Sequence, residues 1–96
     1  MENLRNIAKN LVIDYNGDLK PQKENIKKAI EDFSSALTSL DPEEIRDNFN
    51  DLRPLLFKAR GMKNILIAEG LYKEEDINLD ISLYEAIRTK IKISRI

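Results

Sequence analysis

Residues 45–70, IRDNFNDLRPLLFKARGMKNILIAEG, decide the fold class of this 96-residue chain. Apolar side chains recur in this stretch every three or four residues, which is the spacing of one face of an α-helix. They are Ile45, Phe49, Leu52, Leu56, Ala59, Met62 and Leu66. Gly70 is suited to the helix end, because glycine readily adopts the left-handed conformation that often follows a helix C-terminus. The stretch therefore predicts a long helical segment in an all-α fold.

Pro54 falls inside this helical pattern. Proline lacks a backbone donor and clashes with the preceding turn, so it kinks or ends most helices that contain it. Upstream, Asp41, Pro42 and Glu44 follow the pattern of a helix start, with a capping residue, a proline at the first position and an acid three residues after the cap. We therefore predict that residues 42–70 form either one helix kinked near Pro54 or two helices that meet there.

Apolar patterns with the same helical spacing flank this segment on both sides. They cover residues 4–15, 21–40 and about 80–92. The C-terminal residues 91–96, IKISRI, alternate instead, and this pattern predicts a short extended end. The chain is accordingly predicted to be one domain, residues 1–96, folded as a small antiparallel up-and-down bundle of four or five helices.

Composition limits what the chain can do chemically. It contains no histidine and no cysteine, so the commonest general base and the thiolate nucleophile are both absent, and no disulfide can form. The net charge of −1 argues against a dedicated DNA-binding domain. No apolar run approaches the roughly 18 residues of a membrane-spanning helix, and the N-terminal region lacks the apolar core of a signal peptide. We therefore expect a cytoplasmic protein that is not an enzyme.

Acidic clusters raise the question of a metal site. Residues 14–18 and 76–80 resemble the start of a calcium-binding loop, but neither stretch is followed by the glycine and glutamate that such a loop needs at its sixth and twelfth positions. Glu44, Asp47 and Asp51 share one helix face, where the helix dipole favours carboxylates without any metal. We predict no metal site, no cofactor and no small-molecule substrate.

Charged residues alternate in blocks along the second half of the chain. Residues 41–51 contain five acids and one base, and residues 52–68 contain four bases and no acid. Residues 69–85 contain six acids and one base, and residues 86–96 contain four bases and no acid. The basic blocks have two interpretations: they pair with the acidic blocks on neighbouring helices and so set the packing, or they contact an anionic partner.

Residues 54–69 carry more apolar side chains than one buried face can hold. Leu55, Leu56 and Phe57 are consecutive and spread over roughly 200° of the helix, whereas the buried face of a bundle helix covers roughly 100–140°. Either this helix is surrounded, or it offers a second apolar side to a protein partner or to a second copy of the chain. We expect a protein-interaction or regulatory module. The predicted contact residues are Phe57, Lys58, Arg60, Met62 and Lys63, followed by Arg88, Lys90 and Lys92.

Two other functions fit the same features. In its size, its helix count and its basic C-terminal region with Arg88, Lys90 and Lys92, the chain resembles the small helical immunity proteins of bacteriocin producers. This architectural resemblance implies an immunity role. The third function is that of a nucleic-acid-binding accessory protein, because the basic blocks could contact phosphates. An anionic membrane surface would attract the same residues.

Overall fold

The computed structural model describes residues 1–94, which fold into five α-helices and two short 3₁₀ turns, without a strand in that range. The helices are α1 (Glu2–Ala8), α2 (Lys23–Thr38), α3 (Pro42–Asp47), α4 (Phe49–Ala68) and α5 (Ser82–Ser94). The 3₁₀ turns are Lys20–Gln22 and Glu74–Asp76. The predicted all-α class with four or five helices is confirmed.

A single hydrophobic core receives side chains from every helix. Helix α1 packs along α2, α2 packs on α4, and α5 packs mainly on α3. The large side chains at the centre include Leu4, Ile30, Phe33, Leu52 and Leu66, each at most 1% exposed. Burial of one such side chain contributes about 1.5–3 kcal/mol, so this core is the main source of stability.

The first helix is shorter than the predicted range 4–15. Helix α1 ends at Ala8, and the chain continues as an irregular segment. Leu11 still reaches the core, whereas Val12 and Tyr15 are 64% and 71% exposed. The prediction was wrong here because apolar spacing continues past the last residue that has helical hydrogen bonds.

The segment after α1 is held by the side chain of Gln22. Its oxygen accepts the backbone N–H of Asp14 at 2.9 Å, and its amide donates to the carbonyls of Asp14 and Asp18 at 3.1 and 3.0 Å. Backbone groups that a longer helix would have paired are therefore satisfied by a side chain from the next element. These hydrogen bonds fix the path of the irregular segment that follows α1.

The break between α3 and α4 lies at Asn48, and Pro54 lies inside α4. At Asn48 the backbone leaves the helical region, with φ −113° and ψ 21°, and the side-chain amide donates to the carbonyl of Glu44 at 2.8 Å. Pro54 cannot donate to the carbonyl of Asn50, but Asn50 is exposed, so water can bind that carbonyl. Of the two predicted alternatives, residues 42–68 form two helices, but these meet at Asn48 rather than at Pro54.

Helix α4 ends at the glycine that the sequence indicates. Gly70 has a φ of +72°, a conformation that costs little only for glycine. The N–H of Gly70 donates to the carbonyl of Ile67, and the N–H of Leu71 donates to the carbonyl of Leu66, both at 3.0 Å. These two bonds form a Schellman motif, which satisfies the last carbonyls of α4.

Residues 77–80, here called the strap, tie the start of α5 to α2. The N–H of Asn78 donates to the Glu31 carboxylate at 3.1 Å, and the N–H of Asp80 donates to the Ser34 hydroxyl oxygen at 2.8 Å. Ser34 is buried, and no other polar side chain within residues 1–93 is buried to that degree. The strap therefore positions α5 through backbone hydrogen bonds that cross between distant parts of the chain.

The C-terminal end is helical rather than extended. Residues 91–94, predicted to alternate in an extended segment, belong to α5, while residues 95 and 96 lie outside the described range. Ile91 is half-buried and continues the face that carries the buried Tyr84 and Ile87. The alternating pattern was misleading, because Ile91 follows Tyr84 by seven residues and therefore lies on the same face of the helix.

Candidate functional site

Helix α4 carries a large apolar side chain outside its buried face. Leu52, Leu56 and Ala59 are at most 4% exposed and belong to the buried face. Phe57 is 60% exposed, although it is one of the largest apolar side chains in the helix. The surplus of apolar residues noted in the sequence therefore leaves Phe57 on the surface.

A cleft of about 340 Å³ runs between α4 and α5; we call it the α4–α5 cleft. Residues spaced by three or four line each wall, so each wall is one face of a helix. At 1.5 Å per residue, the walls are about 16 Å long. One wall consists of Phe49, Asn50, Arg53, Leu56, Phe57 and Arg60, and the other of Ile81, Tyr84, Glu85, Arg88, Ile91 and Lys92.

Two stacked aromatic rings form part of the cleft floor. The rings of Phe49 and Tyr84 are parallel, with their centroids 4.8 Å apart, and so join the start of α4 to α5. Leu56 lies beside them and is 4% exposed. Aromatic pairs add about 0.5–1.5 kcal/mol beyond their buried area, so the floor is apolar and firmly placed.

The Tyr84 hydroxyl group stays protonated at neutral pH. Burial raises the pKa of Tyr84 above its ordinary value, because the charged phenolate is poorly solvated there. The positive charges of Arg53 and Arg88 oppose that effect in part. Tyr84 consequently adds no negative charge to the cleft.

The rim of the cleft is basic. Arg53, Arg60, Arg88 and Lys92 line it, whereas Glu85 is its acid. Arg88 Nη1 lies 3.4 Å from Glu85 Oε2, and the Arg53 guanidinium lies 5.5 Å from the centroid of the Phe57 ring. Within residues 1–94, Arg60 forms no ion pair. The cleft thus combines an apolar floor with an excess of positive charge.

Four of the predicted contact residues line this cleft, namely Phe57, Arg60, Arg88 and Lys92. They come from two helices that are distant in the sequence, and the structure brings them to one place. Lys58 and Lys90 are exposed but do not line the cleft. The cleft therefore brings together half of the eight predicted contact residues.

Met62 and Lys63 occupy other environments. Met62 is 4% exposed and packs in the core, so its prediction as a contact residue is corrected: its helical position places it with Ala59 and Leu66. Lys63 has a side chain only 12% exposed, and its Nζ lies 3.0 Å from Glu74 Oε1. Pairing between a basic and an acidic block, one of the two interpretations of the charge pattern, holds for Lys63.

Sequence reasoning left Arg53 out of the predicted contact residues and placed Phe49 only on the buried face of the helix. A second pattern in α4 was available as a signal, because Arg53, Phe57 and Arg60 follow each other at intervals of four and three residues. No comparable signal indicated that α5 would lie beside this face. That contact depends on the strap and on the Phe49–Tyr84 stack.

The acids considered for a metal site have cationic neighbours instead. Glu44 Oε2 lies 3.5 Å from the Met1 ammonium, and Asp51 Oδ2 lies 3.4 Å from Arg5 Nη2. Asp47 Oδ1 lies 3.8 Å from Arg46 Nε. In the part of the chain that the structure describes, no group of three or more acids is arranged to hold a metal ion.

No model of a known protein family matches the chain, and neither does any curated protein or solved structure. Among the helices within residues 1–94, none is long and apolar enough to cross a membrane. The function is therefore inferred from the α4–α5 cleft itself.

Proposed function

We propose that the protein is a non-catalytic interaction module of the cytoplasm that binds another protein in the α4–α5 cleft. The observation that carries this proposal is the exposure of Phe57, 60% of whose surface meets solvent beside an apolar floor and a basic rim. Aromatic residues and arginines are enriched where partner proteins bind most tightly, and exposed apolar patches commonly mark such sites.

A different protein fits this cleft better than a second copy of the chain. In a two-fold dimer the same patch faces itself, so Arg53, Arg60 and Arg88 would face the equally basic patch of the second copy. Like charges brought together at an interface cost binding energy, and among residues 1–94 Glu85 is the one acid that lines the cleft. A partner with the opposite charge avoids this cost.

The polar groups of the cleft favour binding over catalysis. Arginine and lysine side chains dominate the rim, and the Tyr84 phenol is neutral. The Glu85 carboxylate lies 3.4 Å from Arg88, which makes it a structural partner of the rim. This set suits the recognition of carboxylates or phosphates and provides no paired acid and base.

Single-stranded nucleic acid is the second candidate ligand. The exposed Phe57 ring beside Arg53 and Arg60 favours it, because aromatic rings stack on bases and arginines bind phosphates. A walled cleft about 16 Å long suits a folded segment better than a continuous strand. Nucleic-acid binding would also weaken steeply with added salt.

Photo-cross-linking inside cells of the source organism tests the proposal. A photoreactive phenylalanine replaces Phe57, and the matched control carries it at Val12, which is 64% exposed on another part of the surface. We expect a protein adduct of discrete mass from position 57 and none from position 12. A nuclease-sensitive adduct would favour the second candidate, and equal labelling from both positions, or none, would refute the proposal.

A further inference from the structure

We infer that the occupant of the α4–α5 cleft is an acidic amphipathic helix of the partner, about three turns long, which packs between α4 and α5. This inference rests on the proposed function and names the docking element. Its support comes from the shape of the cleft, from the row of apolar side chains along it, and from the sign of charge on both walls.

The shape of the cleft favours a helical occupant. Two helix faces form its walls, and a third helix can pack against both with the usual separation of roughly 8–10 Å between axes. An extended peptide instead gains its hydrogen bonds from an exposed sheet edge, and residues 1–94 contain no strand. A helix satisfies its own backbone groups and needs only side-chain contacts.

The apolar side chains that line the cleft predict the spacing of the apolar anchors in the docking helix. Phe57 on one wall and Ile91 on the other flank the floor made by Phe49 and Tyr84. A docking helix meets such a row with anchors at positions i, i+3 or i+4, and i+7. Leucine or aromatic anchors at that spacing would cover the exposed ring of Phe57.

The positive charges on the cleft walls predict which residues flank the apolar anchors of the docking helix. Arg53 and Arg60 lie on the α4 wall, and Arg88 and Lys92 lie on the α5 wall, so the row of anchors is bordered by cations on both sides. Arginine binds carboxylates through paired hydrogen bonds, which makes glutamate or aspartate on both flanks the complementary arrangement. A helix with basic flanks would be repelled.

Three synthetic peptides provide the test. Each is a fluorescein-labelled helix of about fourteen residues, roughly four turns, with leucines along one face. The three peptides differ only in their flanking residues, which are all glutamate, all glutamine or all lysine. We expect fluorescence polarisation to show the glutamate peptide binding at least about tenfold more tightly than the glutamine peptide, and no binding of the lysine peptide. A scrambled glutamate peptide without the leucine stripe should also fail. Equal binding of the glutamate and glutamine peptides, or no binding of the glutamate peptide, would overturn the inference.

A matched pair of variants locates the contact. Arg60→Glu and Lys58→Glu make the same charge change at two exposed positions of α4, but only Arg60 lines the cleft. We expect Arg60→Glu to weaken the glutamate peptide by about tenfold or more and Lys58→Glu to change it by less than about twofold. Equal losses would indicate a response to net charge alone and would contradict the inference. Circular dichroism confirms that both variants remain folded.

Reversing two charges of the cleft should produce a new binding activity, and a misfolded variant would not show it. The double variant Arg60→Glu/Arg88→Glu should lose the glutamate peptide and gain the lysine peptide. Failure of this exchange, or displacement of the glutamate peptide by a single-stranded oligonucleotide that binds more tightly, would count against an acidic helix.

The cross-linking and peptide-binding experiments together distinguish the inference from the proposed function. A protein adduct at position 57 without peptide binding refutes only the inference, whereas peptide binding without a cellular adduct refutes the proposed function.

Discussion

Phe33 and Phe57 are the same residue type in opposite environments. Phe33 in α2 is fully buried, and Phe57 in α4 is 60% exposed. The sequence already distinguishes them, because Phe33 lies on the helical face of Ile30 and Leu37, whereas Phe57 adds to a face of α4 that the core does not need. Their roles should separate in the same way, with one supporting the fold and the other the interaction.

Replacing each phenylalanine by alanine tests this separation. Phe33→Ala should lower the free energy of unfolding by about 3–5 kcal/mol, because it removes a large buried side chain and leaves a cavity. Phe57→Ala should lower it by less than about 1 kcal/mol, since most of that side chain is already in water. Urea denaturation followed by circular dichroism measures both values. A loss at Phe57 as large as the loss at Phe33 would mean that Phe57 supports the core.

The contact partners of individual lysines and arginines could not be predicted from the sequence. The sequence left two roles open for the bases of α4, and the structure divides them between Lys63, which pairs with Glu74, and Arg60, which lines the cleft. Blocks of charge indicate that pairing is possible, but the choice of partner depends on where the segment after α4 returns. That path is set by tertiary contacts and has no local signal.

Helix ends show the same contrast at the scale of the element. The end of α4 was predictable, because Gly70 has the required left-handed conformation and the neighbouring residues supply the hydrogen bonds. The end of α1 was not, because the apolar spacing continues to Tyr15 whereas the helix ends at Ala8. Likewise, Asn48 ends α3 before Pro54 is reached. A glycine directly after an apolar pattern indicates a helix end, whereas apolar spacing alone does not show where the helical hydrogen bonds stop.

Two glycines in and after α4 should respond oppositely to alanine. Gly61 lies inside the helix, and a Cβ there would meet nothing within 4 Å, so Gly61→Ala should raise the free energy of unfolding by about 0.5–1 kcal/mol. Gly70→Ala should lower it by about 1–2 kcal/mol, because alanine is strained at a φ of +72°. Thermal melts resolve such effects, since 1 kcal/mol moves the Tm of a domain this size by about 4–8 °C. Melting shifts of the same sign would contradict this account.

At the scale of the whole molecule, the cleft arises from the arrangement of α4 and α5. Each wall can be found in the sequence as a helical face, but the gap between them depends on how the strap and the Phe49–Tyr84 stack orient α5. Composition and periodicity carry no measure of that orientation. The fold class was therefore predictable, while only half of the predicted contact residues line the cleft.

The charge of the cleft predicts how the molecule behaves on its own. We expect a monomer of 11.1 kDa by size exclusion with light scattering, because the basic rims of two copies repel each other. The measurement is made at low salt and again at about 1 M salt, where screening reduces the range of this repulsion to about 3 Å. A dimer that persists at high salt would mean that Phe57 is buried against its own copy, and this would contradict a different protein as the partner. The variant Phe57→Ala would then dissociate the dimer.

The two faces of α4 also have a consequence for how the sequence can change over time. Leu52, Ala59 and Leu66 are held by the core and tolerate few substitutions. Arg53, Phe57 and Arg60 line the cleft instead. If a partner helix binds there as we propose, these residues should change together with that helix in a set of homologous sequences. The two sets of residues in this one helix would then be substituted at independent rates. The boundary between the two sets would mark the edge of the proposed binding surface.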